Sequence, residues 1–121
     1  MYVRENGKVP VKEFISSLPA KLKAKAMRDI DLLRKHGNSL GEPYVKPLKG
    51  KENKGLYELR VKFSNDNARI FYFTLQNEKY ILLHGFIKKT MKTPNSELER
   101  ARKYMNDYVR RNEDEQGKYS I

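Results

Sequence analysis

From Leu56 to Phe63 the chain alternates: Tyr57, Leu59, Val61 and Phe63 fall on one side, Glu58, Arg60 and Lys62 on the other. A period of two marks a strand with one buried face. Ser64-Asn65-Asp66-Asn67 reads as a hairpin turn, and Ala68–Leu75 after it is apolar on both sides apart from Arg69, as a central strand would be. Gln76-Asn77-Glu78 turns the chain again into a third run, Lys79–Ile87. Three strands joined by tight turns predict an antiparallel meander.

Helical spacing flanks this core. Pro10 suits a first helical position, where its missing N–H costs nothing, and Val11, Phe14, Ile15 and Leu18 follow on one face. Pro19 opens a longer helix in which Leu22, Ala26, Ile30 and Leu33 recur at intervals of four, four and three, ending near His36-Gly37-Asn38. The two form a helical hairpin. Residues 38–54, punctuated by glycine and proline, read as loop, and Met1–Arg4 as a short edge strand. A last helix starts near Thr93-Pro94, with Leu98, Ala101, Met105 and Tyr108 as its buried stripe.

The predicted class is α+β: an N-terminal helical hairpin and a C-terminal helix packed on a small twisted antiparallel sheet. The expected arrangement puts the helices on one face and leaves the other open and charged. Residues 1–109 form the single domain, and 110–121, which lack periodicity, read as a frayed tail.

Charge sharpens this picture. Lys and Arg number 26 against 15 Asp and Glu, a formal net charge of +11. The surplus is local: residues 44–93 hold 11 basic and 4 acidic residues, whereas 94–121 hold 6 of each. Clustered positive charge on a strand region is the footprint of a polyanion binder. The absence of Cys excludes disulfides and thiolate metal sites. Two distant His residues and no acidic cluster at ligand spacing give no support to a metal site, and no cofactor motif is found. No apolar run approaches the ~20 residues of a membrane span, so the expected compartment is the cytoplasm.

Several residues are candidates for chemistry. Arg69 opens an otherwise apolar strand, where an unpartnered charge is costly. Glu58 across the hairpin is one candidate partner and a bound phosphate, matched by the guanidinium fork, is the other. Arg60 lies on the polar side of its strand. His84 sits inside an apolar run, where a hydrogen-bonded core residue and a proton donor are both open. Lys88, Lys89 and Lys92 leave the last strand ahead of the final helix, while Lys46, Lys49, Lys51, Lys54 and Lys62 surround the first of the three strands. Any of the interleaved aromatic rings that reach the surface would stack on unpaired bases.

The segments Lys46-Pro47-Leu48-Lys49-Gly50, Gly55-Leu56-Tyr57-Glu58-Leu59-Arg60, Ala68-Arg69-Ile70-Phe71-Tyr72 and His84-Gly85-Phe86-Ile87-Lys88-Lys89, with Thr93-Pro94, resemble the RelE/ParE toxin superfamily, and more narrowly its HigB branch of phage-derived proteins. The resemblance covers residues 1–109. It implies a type II toxin neutralised by a helix-turn-helix, HigA-like antitoxin, acting as a metal-independent endoribonuclease on mRNA at the ribosome, with the RNA 2′-hydroxyl as nucleophile. It also implies roles: Arg60 and Arg69 on the phosphate, Lys88 and Lys89 positioning and protonating, and the remaining lysines (46, 49, 51, 54, 62 and 92) on RNA or ribosome. Glu58 departs from the pattern, standing where such chains carry a basic residue, and a C-terminal His-Tyr pair is absent. Glu58 is then the candidate base, with His84 or Lys89 as proton donor. A ParE-like, non-catalytic gyrase inhibitor and an inactive nucleic-acid-binding module are the alternatives on the same fold.

Overall fold

The computed structural model describes residues 1–76 and 79–119, with side chains through Asn112. Three α-helices and four strands follow in the order α1 (Pro10–Ser17), α2 (Ala20–His36), β1 (Val45–Pro47), β2 (Leu56–Phe63), β3 (Asp66–Leu75), β4 (Lys79–Ile87) and α3 (Asn95–Tyr119). Two 3₁₀ turns, Gly37–Leu40 and Lys51–Asn53, bracket β1. The sheet is antiparallel throughout, in spatial order β1-β2-β3-β4. The α+β class and the meander of β2, β3 and β4 are as the alternation predicts. Asn77 and Glu78, centre of the expected second turn, lie outside the described residues.

The layers differ from expectation in one important respect. Val11, Leu18, Leu22, Ala26 and Leu33 of the hairpin pack on Val45, Leu59, Val61, Ala68, Ile70, Tyr72 and Leu82. Ala101 and Tyr104 of α3 pack with Tyr2 on Leu56, Phe71, Phe73, Ile81 and Leu83, which point the other way. The sheet is therefore sandwiched, with no wholly open face. The physical reason stands in β3, whose residues 68–73 are all buried. A strand apolar on both sides needs cover on both sides. Burying each large apolar side chain stabilises the fold by about 1.5–3 kcal/mol, and one helical layer would leave half of that unrealised.

Three further expectations need correction. Met1–Arg4 is not a strand, although the Tyr2 N–H bonds the Leu82 carbonyl at the edge of β4 (2.8 Å). The 38–54 region is not all loop: Val45–Pro47 pairs with β2, Val45 opposite Leu59 and Lys46 opposite Glu58. Finally, α3 does not give way to an irregular tail at residue 110 but continues to Tyr119; the last two residues lie outside those described.

Gly37 ends α2 with φ 58°. A Cβ there would lie 2.1 Å from the Tyr80 hydroxyl, so only glycine lets the ring close over the helix end. Next to it the Tyr72 hydroxyl donates to Asn38 Oδ1 (2.7 Å), tying the sheet to the turn after α2.

Candidate functional site

The register across the sheet decides which polar residues share a surface. Arg60 on β2 stands directly opposite Arg69 on β3, and Arg69 stands opposite Phe86 on β4. One step along, Lys46, Glu58, Phe71 and His84 form a second row across all four strands. Both rows lie on the α3 side, since Leu56, Phe71, Phe73 and Leu83 of that side belong to the cluster around α3.

His84 reaches this side because β4 carries an irregularity. Leu82 pairs with Tyr72, but His84 pairs with Phe71, leaving Leu83 as an extra residue without a partner on β3. Strict alternation from Ile81 would send His84 and Phe86 toward α1 and α2. The bulge turns both toward the arginines, the re-aiming that bulges provide.

Around the arginines the charges are closely coupled. Glu58 Oε1 accepts from Arg60 Nε at 2.9 Å, and Glu58 Oε2 lies 3.8 Å from Arg69 Nε. Arg69 Nη1 also donates to the Ala68 carbonyl (3.2 Å), while its Nε is buried without a hydrogen-bond partner. Burial pulls the Arg69 pKa down, Glu58 opposes this, and Arg60 adds to the depression. The guanidinium nevertheless stays charged near neutrality. Like charges directly opposite on neighbouring strands repel. One carboxylate between two guanidinium groups leaves a net positive charge, and the Arg60 side chain is 29% exposed. The arrangement can therefore receive an anion.

His84 is buried. Its Nε2 lies 3.0 Å from Glu97 Oε2 in the first turn of α3, and its ring meets Phe71 and Tyr104 edge-on. Burial lowers its pKa against the opposing pull of Glu97, which favours the neutral ring. Glu97 carried no signal in the sequence beyond its place near a helix start, and Phe86 stood only among the interleaved aromatic rings and in the segment that carries the resemblance. Both belong to this surface.

The lysines do not converge on the arginines. Lys49, Lys51 and Lys54 are exposed around the second 3₁₀ turn, at the end of the sheet where β2 begins. Asn53 pins that turn, donating to the Lys49 carbonyl (2.8 Å) and accepting from Arg102 of α3 (2.6 Å). Lys88, Lys89 and Lys92 lie at the opposite end, where the Lys88 N–H bonds the Asn67 carbonyl beside the β2–β3 turn (2.7 Å). Lys62 is exposed and pairs with Asn67 at that same end. Lys46, half-buried, is the nearest lysine in register, directly across from Glu58. Basic groups thus bracket the arginine pair along the sheet instead of crowding it.

Among the described residues no three His, Asp or Glu side chains gather in a way that could hold a metal ion, and no helix is long and apolar enough to cross a membrane.

Comparison with known proteins places the chain in a family. None of the curated proteins compared with the chain matches it. A family model described as Phage derived protein Gp49-like matches residues 13–106, a span that takes in most of the hairpin, the whole sheet and the first half of α3. The chain therefore belongs to the phage-derived Gp49-like family, a RelE-like group associated with the toxins of toxin–antitoxin systems.

Proposed function

We propose that the chain is a HigB-like toxin that cleaves mRNA on the ribosome, using the RNA's own 2′-hydroxyl and no metal. The observation that carries this reading is the Arg60–Arg69 pair, set opposite each other across β2 and β3 with a single carboxylate between them. Two guanidinium groups so placed match the charge that builds on a phosphate during transesterification, and preorganised cations aimed at developing charge are usually the largest catalytic contribution.

In this reading the 2′-oxygen attacks the adjacent phosphorus, a cyclic phosphate forms, and the P–O bond to the next nucleotide's 5′-oxygen breaks. Arg60 and Arg69 hold the phosphoryl oxygens. Glu58, next to both, takes the 2′-hydroxyl proton. Lys88 or Lys89 delivers a proton to the leaving oxygen from the loop after β4. His84, sealed against Glu97, acts by positioning the start of α3 and the Phe86 side of the strand. The bracketing lysines hold the RNA backbone or ribosomal RNA on either side. A helix-turn-helix antitoxin is the proposed partner, in keeping with the family's association, and the cytoplasm the proposed compartment.

The test is primer extension on cellular mRNA after brief induction of the protein. New 5′ ends within reading frames are expected, and they should vanish with Arg69→Ala. Growth arrest without such ends, accompanied by loss of gyrase supercoiling activity in the presence of the purified protein, would replace this reading with a non-catalytic one.

A further inference from the structure

Around the corner from the arginine pair, the edge of β4 opens into a cavity of about 670 Å³. Its floor is His84 and Gly85, and α1 and α3 overhang it from the two faces of the sheet. Gly85 is the feature that shapes it. A Cβ at this position would lie 2.3 Å from the Phe14 ring, so the ring rests directly against the backbone as one wall. Tyr104 of α3 forms another, with the Arg4 guanidinium 5.9 Å from its ring centroid.

The polar lining is mixed. Arg100 and Lys103 reach it from α3. Glu13 of α1 and Glu99 of α3 also line it, and both residues are exposed. Aromatic walls with cations alone would suit any nucleotide. Two carboxylates in the same space accept hydrogen bonds and repel the carbonyl edge of a base, which makes the lining selective.

The cleft also lies within one nucleotide's reach of the arginines. Phe86 is opposite Arg69, and His84 is two residues further along β4. At ~4.8 Å between strands and ~6.8 Å per two residues, His84 lies roughly 8 Å from Arg69 in the plane of the sheet. An adjoining nucleotide can span that.

We propose that this cleft is a base-reading subsite for the RNA, in which Glu13 and Glu99 select a base that carries an exocyclic amine and reject uracil. The inference rests on the RNA-directed reading given above. Cytosine and uracil make the cleanest comparison, because they have nearly the same size and stacking surface. Cytosine offers its N4 amine to a carboxylate, whereas uracil offers a carbonyl oxygen in the same place.

The test uses 2′-O-methyl octamers of cytidine and of uridine, which lack the attacking hydroxyl and so report binding alone. Wild-type protein should bind the cytidine octamer roughly ten-fold tighter than the uridine octamer, the size expected for one good carboxylate–amine pairing. The double variant Glu13→Gln with Glu99→Gln should bring the two within about two-fold, since a carboxamide can donate to the uracil carbonyl. Arg100→Ala with Lys103→Ala should weaken both octamers alike. Equal affinities in the wild type, or a preference that survives the double Gln variant, would overturn the subsite while leaving the arginine site standing. If the wild type binds neither octamer, the subsite is overturned while the ribosome-dependent reading stands on its primer-extension test; if Arg60→Ala with Arg69→Ala does not weaken binding, the arginine pair is not the phosphate site and both readings fall.

Discussion

Arg60 and Arg69 face each other across β2 and β3 and share Glu58, whose two oxygens lie 2.9 Å and 3.8 Å from their Nε atoms. Two like charges in register are tolerated because one buried carboxylate sits between them. Glu58→Gln removes that compensation and leaves the buried Arg69 guanidinium facing Arg60. The variant should lose about 1–3 kcal/mol of stability, the cost of stranding a buried charged donor. Urea denaturation measures the loss. Added sulfate should restore more stability to the variant than to the wild type, because an anion held near the two uncompensated arginines in the folded state replaces the lost negative charge. An equal response of both proteins to sulfate would count against an anion site between the arginines.

Arg69→Ala and Arg60→Ala separate catalysis from structure. Each should reduce mRNA cleavage by about 10²–10³, the usual loss when one preorganised group is taken from developing charge. Arg69→Ala leaves the 2.9 Å Arg60–Glu58 pair in place, so the circular dichroism spectrum should match the wild type. A variant that folds normally and still cleaves at full rate would remove that arginine from the mechanism.

The lysines should behave differently. Replacing Lys49, Lys51, Lys54 or Lys92 with Ala should weaken RNA binding and lower the salt slope by about one for each phosphate no longer neutralised, without abolishing cleavage. Binding isotherms at several salt concentrations make the comparison. Because the lysines occupy both ends of the sheet, losses from Lys54 and Lys92 should add, as expected for distant sites.

Acid should act through His84. Burial lowers its pKa below the ordinary value of 6.5, so the unfolded chain takes up a proton at a higher pH than the folded protein does. Stability conferred by the neutral ring is thus fully present above pH 6.5 and is lost as pH falls through and below it. His84→Gln should flatten that decline between about pH 7 and 5. Thermal melts of both proteins across this range provide the measurement; parallel curves would show that another group carries the acid sensitivity.

Much of this fold is legible in the sequence. The alternation of 56–63 gives β2 and its two sides, and the stripes Leu22-Ala26-Leu33 and Leu98-Ala101-Met105 give the buried faces of α2 and α3. The cover on both sides of the sheet is also written there, in the apolar run around Arg69. The expectation of a charged open face gives that run too little weight. Other features are not legible. Val45–Pro47 is three residues long and ends in proline, so no periodicity can develop, and without β1 nothing places Lys46 beside Glu58. The Glu97–His84 hydrogen bond joins residues 13 apart through a helix docking that no local pattern encodes. The helical course of α3 beyond residue 110 runs past the end of its apolar stripe, through a stretch whose composition suggests a tail.

The unpaired Leu83 has a consequence for how relatives of this chain are compared. A single added residue sets the outlook of everything after it, so the number of residues between Lys79 and His84 matters as much as their identity. A relative without the insertion would present its strand-end histidine and aromatic ring to the opposite layer unless they were displaced by one position. Aligning the basic residues that leave this strand column by column would then equate groups that look in contrary directions. Counting backbone pairs outward from the arginine opposite Phe86 is the sounder guide to which side chains correspond.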